Sequence, residues 1–523
     1  VFRFAWFAWF AWFAWFAWFA WFAWFAMILV LDIGSSSTRA SLYTTAGELV
    51  EGTMAREKSA LRVPEDGAAL DDAAALLERV VGCVDSCLAA AGALASEIAA
   101  VGCATYVSNV VGLDAAGRPL TPIYTYADTR SADAAAVLRE RFDEQAVLQR
   151  TGCPLRTSYL PALFAWLAGA DAHMFRNVRR WAGAGEWLYN ELLGEAAISY
   201  SAAAWTGLLD RRRLVWDGEL LEALGVEQQQ LGNLVDVDRP IGSLRQAWAR
   251  RWPSLARVPW FAAIGDGAAA NIGSGCISRD RIALSVGTTG ALRIVTAELP
   301  NVPRGLWCYR VDRNAPLLGG ATSEGGNVLD WARRTLQIST DALDDYLLDP
   351  RGDDHDLVVL PFIAGERSPG WSGDTRMLLD GISLATTPLD VARASLEAVA
   401  YRWAAIAGLL RTAAPDASLV VASGGGLKYV PNWAQLIADA LAMPLAISDE
   451  TETTSRGIAL LTARSLGLLA DIGSVESRLG RRFEPDAARH ARHRAAMEQQ
   501  QALYEREVGV ERTNAKAQRR KGI

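Results

Sequence analysis

Residues 27–43 read MILVLDIGSSSTRASLY. Met27–Ile33 is an apolar run broken only by Asp32, the pattern of a strand covered on both faces. Gly34–Ser37 supply a tight turn. Thr38–Thr45 reads as a returning strand, followed past Ala46-Gly47 by a third over Glu48–Arg56. Asp32 therefore ends a buried strand just before a turn of small hydroxyl residues. Small residues let backbone N–H groups approach phosphate oxygens, and Ser and Thr hydroxyls add donors. A carboxylate at that point can hold Mg²⁺ through water. An ordinary hairpin closed by Asx and Ser turn bonds accounts for the same residues. A Walker loop is excluded: it needs GK[ST], and Lys58, Lys428, Lys516 and Lys521 stand elsewhere. No GxGxxG opens a helix here, which excludes the Rossmann fingerprint.

Outward from this stretch the pattern stays α/β. A helix is expected over Asp71–Ala91, and strands over Ile98–Thr105, Val110–Asp114 and Ile123–Tyr126. Thr151–Leu255 is helix-rich. A second strand-rich block begins near Phe261, with Ala283–Val286 and Ala291–Val295 around a Gly-Thr-Thr-Gly turn. Helices follow over Leu396–Thr412, Trp433–Ala442 and Pro485–Glu507, and Thr513–Ile523 reads as a frayed basic tail. The strand–turn–strand pattern of 28–45 returns at 283–295, so two related halves are expected, each with one Gly-rich turn.

Five further segments carry candidate chemistry, each beside a plainer reading. SVGTTGALRIV (285–295) has the phosphate-cradling composition of the first turn, or is a plain turn. In IGDGAAANIGSGC (264–276), Asp266 is either a base for a hydroxyl nucleophile or a helix N-cap. The glycines of VVASGGGLKYVPNWAQLIADALAMPL (420–445) suit a flat adenine lying on backbone, or a loop needing positive φ. Glu366 and Arg367 in PFIAGERSPGW (361–371) read as a structural ion pair or a pocket lining. Asp128 and Arg130 in YTYADTR (124–130) hydrogen-bond sugar hydroxyls, or form a solvated pair at a helix N-terminus.

The chain has 523 residues, a formal charge of −7, 51% apolar and 21% charged residues. That is ordinary globular composition, enough for two large domains or more. Six cysteines without CxxC and four histidines exclude zinc-finger and disulfide-scaffold readings. Scattered thiols fit a cytoplasmic protein, and the acidic balance argues against a general nucleic-acid binder. Residues 4–26 repeat Phe-Ala-Trp and are long enough to cross a bilayer. A membrane anchor, a secretory signal and low-complexity sequence compete here; the three-residue period makes no consistent helical or strand face, so this segment (residues 1–26) is read as low-complexity sequence outside the fold. Met27 is the expected start.

Taken in order, LDIGSSSTR, YADTR, IGDGAAANIGSGC, SVGTTGALR, GERSPGW, ASGGG and ADALAMP resemble the FGGY carbohydrate kinases over nearly all of Met27–Glu507. These are two-domain members of the actin, heat-shock chaperone and sugar-kinase superfamily. The resemblance implies an α/β, ribonuclease H-like fold with an interdomain cleft. Its expected parts are an N-terminal kinase domain (27–277), a C-terminal kinase domain (278–470), and a C-terminal helix with basic tail (471–523). The segments YADTRSADAAAVLRERFDEQAVLQRTGCPLRTSYLPALFAWL and GERSPGWSGDTRMLLDGISL look most like gluconokinase-type members. The implied reaction is ATP-dependent phosphorylation of a sugar or sugar-acid hydroxyl, gluconate to 6-phosphogluconate first. Alternatives are xylulose or another polyol and, in another class, a catalytically altered nucleotide-binding regulator.

Carried over position by position, the resemblance makes Asp266 the catalytic base, in contact with substrate, and Asp32 the residue that places Mg²⁺. Gly34, Ser35, Ser36, Ser37 and Thr38, with Gly287, Thr288, Thr289 and Gly290, hold the ATP phosphates. Gly424, Gly425 and Gly426 take the adenosine. Ser108, Tyr126, Asp128 and Arg130 contact substrate, and Arg130 offers a partner for a carboxylate. The implied partners are ATP and a small sugar or sugar acid, with neither nucleic acid nor membrane, and a homodimer is compatible. The chain departs from the gluconokinase pattern at Tyr106-Val107-Ser108-Asn109, where Phe-Trp-His-Ser is usual. It also has Tyr126 in place of Trp and Leu163 in place of Lys.

Overall fold

The computed structural model describes residues 26–64, 66–195, 197–349 and 355–520, with the side chains of 510–520 left aside. The reading of the Phe-Ala-Trp repeat falls outside the described residues. β1 (Met27–Ile33) and β2 (Ser37–Thr44) form an antiparallel hairpin, paired from Met27↔Thr44 to Ile33↔Thr38. β2 continues antiparallel to β3 (Ala55–Lys58), and the other edge of β1 runs parallel to β4 (Ile98–Thr105). β5 (Pro240–Gly242), β6 (Trp260–Phe261) and β7 (Ile264–Gly265) complete the sheet. Its order is β5-β6-β4-β1-β2-β3, with β7 also parallel to β4. β1 thus uses both edges, which is why its sequence is nearly all apolar. Leu29, Leu31 and Ile33 share one core with Leu76, Val80 and Val84 of α1 (Ala73–Ala91). That helix starts where the Asp72 side chain accepts from the Ala75 amide at 2.8 Å. β7 leads directly into α2 (Asp266–Gly273).

A second sheet repeats this plan. β8 (Arg281–Val286) and β9 (Gly290–Val295) form the hairpin, and β9 pairs antiparallel with β10 (Pro316–Thr322). α3 (Gly326–Leu336) and α4 (Pro388–Ala413) follow. β8 runs parallel to β11 (Leu419–Ser423), which is parallel to β12 (Leu445–Ser448), which is antiparallel to β13 (Leu479–Phe483). Along the six strands β13-β12-β11-β8-β9-β10 the order matches the six-strand path of the first sheet, with a further strand, Trp307–Arg310, at the β10 end, so the repeat legible at 28–45 and 283–295 extends through most of a sheet.

The chain forms two compact units that are not consecutive stretches. One holds the chain up to Gly275 with Cys308–Pro316 and Glu452–Glu476; the other holds Cys276–Trp307, Leu317–Thr451 and the chain from Ser477. The expected boundaries at 277 and 470 did not anticipate those two returns. α5 (Thr453–Ser465) packs on β1, β4 and α2 within the first unit. Its crossing with α2 is backbone to backbone: a Cβ on Gly273 would collide with the Thr453 carbonyl, and one on Gly457 with the Ala269 carbonyl. Two local expectations also differ. A turn at Glu51-Gly52, with Gly52 at φ +78°, delays the third strand to Ala55. α6 (Ala487–Arg520) keeps helical backbone through most of the segment read as a frayed tail.

The crossing yields a test. Ala normally stabilises a helix interior over Gly by about 1 kcal/mol. Gly457→Ala should instead destabilise the chain by about 1–3 kcal/mol, the usual cost of overpacking. Urea denaturation measures the sign, and a stabilised variant contradicts the close crossing.

Candidate functional site

In the first unit the carboxyl ends of three parallel strands bring the candidate residues together. Asp32 is level with Ala104 of β4, as is Ile264 of β7, and Gly265 is level with Thr105. β4 lies between the other two, so Asp32 and Asp266 sit two strand spacings apart, about 10 Å in backbone terms. Asp32 is 3% exposed, and one of its oxygens accepts from Arg39 Nη1 at 2.7 Å across the hairpin. Burial pushes its pKa up to about 6; Arg39 opposes this, while Asp266 and Glu452 push it higher. Asp266 is half-buried as the first residue of α2, with Gly265 as the N-cap, and its Oδ1 accepts from the Gly267 amide at 2.7 Å. It is therefore not the N-cap weighed from the sequence. Its carboxylate faces the positive end of the helix instead.

Among the described residues no group of three or more His, Cys, Asp or Glu is arranged to hold a metal alone. Asp32 and Asp266 nevertheless suit Mg²⁺, which takes one or two carboxylates and completes its shell with water and substrate phosphate. A buried carboxylate with a second one in Coulombic reach gains from a cation placed between them.

The turn after β1 closes through Gly34 N–H to the Ser37 carbonyl at 3.0 Å, leaving Ser35 and Ser36 at its tip. Ser37 and Thr38 are buried at 1% and 0% exposure, and neither hydroxyl has a hydrogen-bond partner among the described residues. Of the five residues assigned there to phosphate, Ser37 and Thr38 thus turn their hydroxyls inward. Tyr126 is exposed and its hydroxyl lies 3.3 Å from Ser35 Oγ, so the tyrosine of YTYADTR does reach the first turn. Asp128 is buried, and its carboxylate receives Arg130 Nε at 3.1 Å and Nη2 at 2.6 Å. The Arg130 guanidinium also lies 4.5 Å from the Trp166 ring. Asp128 and Arg130 form a bidentate pair rather than a solvated one, and much of Arg130's capacity for a substrate carboxylate is taken up internally.

The departures at 106–109 are equally committed. Tyr106 Oη bonds Asp71 at 3.3 Å, Asn109 Oδ1 accepts from Ala184 N at 2.6 Å, and Ser108 Oγ donates to the Trp205 carbonyl at 2.6 Å. Ser108 holds φ at +54°, a region costly for a residue with a Cβ.

In the second unit the tip residues Gly287, Thr288 and Thr289 are exposed. Gly290 is buried, with the Trp403 ring where its Cβ would stand. The turn is braced by the start of α3: Gly326 N–H donates to the Gly287 carbonyl at 2.7 Å and Asn327 N–H to that of Thr288 at 3.2 Å. A Cβ on Gly325 would lie 2.6 Å from Thr289 C. Gly424, at φ +117°, has no room for a Cβ against the Val286 carbonyl, so the Gly424–Gly426 loop abuts the strand that leads into the Gly287 turn. The Gly325-Gly326 brace was missed in the sequence, although a Gly pair opening an amphipathic helix was a usable signal. Glu366 pairs with Arg402 rather than with Arg367, and Tyr504 Oη donates to it at 2.7 Å. That supports the structural reading of this glutamate.

Residues 27–273 match the FGGY family of carbohydrate kinases, N-terminal domain, and residues 282–466 match its C-terminal domain. The gluconokinase of Bacillus subtilis (strain 168) is 25% identical over 468 residues, 87% of this chain and 90% of that protein. A glycerol kinase of Dechloromonas aromatica (strain RCB) is 27% identical over 485 residues, 89% of this chain and 94% of that protein. The crystal structure of a ligand-bound xylulose kinase from Lactobacillus acidophilus aligns with TM-score 0.85 at 24% identity, covering 92% of this chain and 98% of that one. The fold is the two-domain α/β fold of these sugar kinases. The gluconate, glycerol and xylulose kinases among these relatives match at near-equal identity.

Asp32 makes stability depend on pH. The folded chain holds its proton from the ordinary value of 3.8 up to about 6, so over that window it binds more protons than the unfolded chain. Stability therefore falls as pH rises through the window. Asp32→Asn lacks this fall. Relative to wild type it should gain ~2–3 kcal/mol between about pH 4 and pH 7, from two pK units at 1.36 kcal/mol each. Denaturation midpoints across that range measure it; parallel profiles for the two proteins rule it out.

Proposed function

The chain belongs to the FGGY family of carbohydrate kinases, and we propose that it transfers the γ-phosphoryl group of ATP to a hydroxyl of a small sugar or sugar acid, gluconate first. The observation that carries this is the placement of Asp266. It is a half-buried carboxylate at the first position of α2, oriented by the Gly267 amide and directly following Gly265, which is level with Thr105 on the strand beside the one that carries Asp32.

Phosphoryl transfer asks little covalent work of a protein; positioning and charge stabilisation dominate. Asp266 orients the acceptor hydroxyl and takes its proton as the oxygen–phosphorus bond forms, while the γ-phosphoryl leaves ADP. The Gly267 N–H orients this carboxylate, and the start of α2 is a favourable place for negative charge. The tip of the first turn, Ser35 and Ser36, and the tip of the second, Gly287–Thr289, present amides and hydroxyls suited to phosphate oxygens. Mg²⁺ arriving with ATP would be held by Asp32, and its charge offsets that of the phosphates. Gly424–Gly426, where the chain turns from β11 into a short helix, leaves backbone free of side chains for the adenosine. A net charge of −7 does not oppose anion binding, because turn amides act within a few Å while exposed charges are screened beyond about 8–10 Å.

Gluconate as the acceptor rests on the two segments of gluconokinase type and on the match to the Bacillus subtilis protein. Six buried free thiols suit a reducing cytoplasm.

An ATP-consumption assay with gluconate, xylulose and glycerol tests the reading. Wild type should turn over gluconate best. Asp266→Asn should lower kcat by about 10²–10⁴, the usual worth of a general base, with ATP affinity kept. Near-normal turnover in that variant sinks the base role. ATP binding without turnover on any acceptor favours a nucleotide-binding regulator.

A further inference from the structure

We propose that Trp205, clamped by Tyr309, is a positioning residue for the acceptor side of the site, tying Gly265-Asp266 to Ser108. This rests on the reading of Asp266 as the base. The Trp205 indole is 8% exposed and lies against Gly265, the residue immediately before Asp266. A Cβ on Gly265 would come within 2.7 Å of the indole nitrogen and 3.1 Å of Val107 Cγ1. Gly265 therefore sits in a slot between the indole and the substituted 106–109 stretch. Through its own carbonyl Trp205 receives the Ser108 hydroxyl at 2.6 Å, and this bond anchors Ser108 at φ +54°. One residue thus touches both the approach to the proposed base and a candidate substrate contact.

The indole is itself held. It stacks on Tyr309 with ring centroids 3.7 Å apart and planes 27° apart. The Tyr309 hydroxyl meets that of Tyr159 at 2.6 Å, in a buried pair. Tyr309 belongs to Cys308–Pro316, the short return of the chain into the first unit, anchored where Cys308 N–H donates to the Gly152 carbonyl at 2.9 Å. Through the stack this return fixes the indole plane, and the indole plane fixes the start of α2. Misplacing a reacting group by about 1 Å can cost about 10²-fold in rate.

The test uses the full chain with ATP and its best acceptor. Trp205→Leu should lower kcat about 10- to 100-fold with KM for ATP within about twofold. Trp205→Phe should lose about 3- to 10-fold. Tyr309→Leu should reproduce the Trp205→Leu loss, and Tyr309→Phe, which keeps the stack, should stay within about twofold of wild type. The double variant Trp205→Leu/Tyr309→Leu should be no worse than either single one, because the two residues act as one element. If Trp205→Leu does not fold, Trp205→Phe and Tyr309→Leu carry the same reading. Lower melting temperatures with kcat unchanged overturn the proposal, as does equal damage to the ATP and acceptor KM values. Asp266→Asn separates the two levels. If it keeps turnover, the base role fails and this inference with it. If it is inactive while the Trp205 and Tyr309 variants turn over normally, only the positioning role fails.

Discussion

An aspartate at the end of a buried central strand is hard to ionise, and the guanidinium of Arg39 is its principal compensation. The two are direct partners across the β1–β2 hairpin, so their bond exists only in this register. A one-residue slip would send Arg39 to the opposite face and strand the carboxylate. The register in turn requires a turn of this length, which places Ser35 and Ser36 at its tip. Arg39 reaches a second carboxylate, Glu452, at 3.7 Å. Glu452 opens the late segment of chain that returns to the first unit, so the same cation links the hairpin to α5 and to the packing under α2.

The two sheets repeat one strand order and put a Gly-rich turn at the same place in each. They differ in what backs that turn. In the first unit the support is electrostatic, with Arg39 against Asp32 and a pair of buried hydroxyls. In the second it is steric and backbone-based, with Gly325-Gly326 packed under Gly287–Thr289 and the Trp403 ring filling the space beside Gly290.

In Arg130 the place of a motif and the division of its hydrogen bonds are separate matters. YTYADTR was legible as a polar patch beside a helix start. Its arginine was expected to be available to a substrate carboxylate. In the structure its guanidinium is shared between Asp128 and the face of Trp166, and the exposed polar group that reaches the first turn is the Tyr126 hydroxyl. Spacing in a sequence gives proximity, not the division of hydrogen bonds among neighbours.

Short-range pattern was enough for the α/β class, the β1 hairpin, the duplicated strand–turn–strand unit, and the places of Asp32, Asp266 and the two Gly-rich turns. These are local facts: apolar runs, turn residues and helical spacing act over a few residues, so they are written where they operate. Tertiary structure alone decided the rest. The Gly52 turn postponed a strand that propensity placed earlier. Ser37 and Thr38 point to opposite faces of β2, and both are buried because both faces are covered there. Asp32 acquired its raised pKa from burial and from Asp266 and Glu452, which are 234 and 420 positions away in sequence. Trp205 stacks on Tyr309, which Cys308–Pro316 brings back into the first unit, and lies against Gly265. Such contacts join residues far apart in the chain, and their energies depend on solvent exclusion and packing that no local pattern encodes.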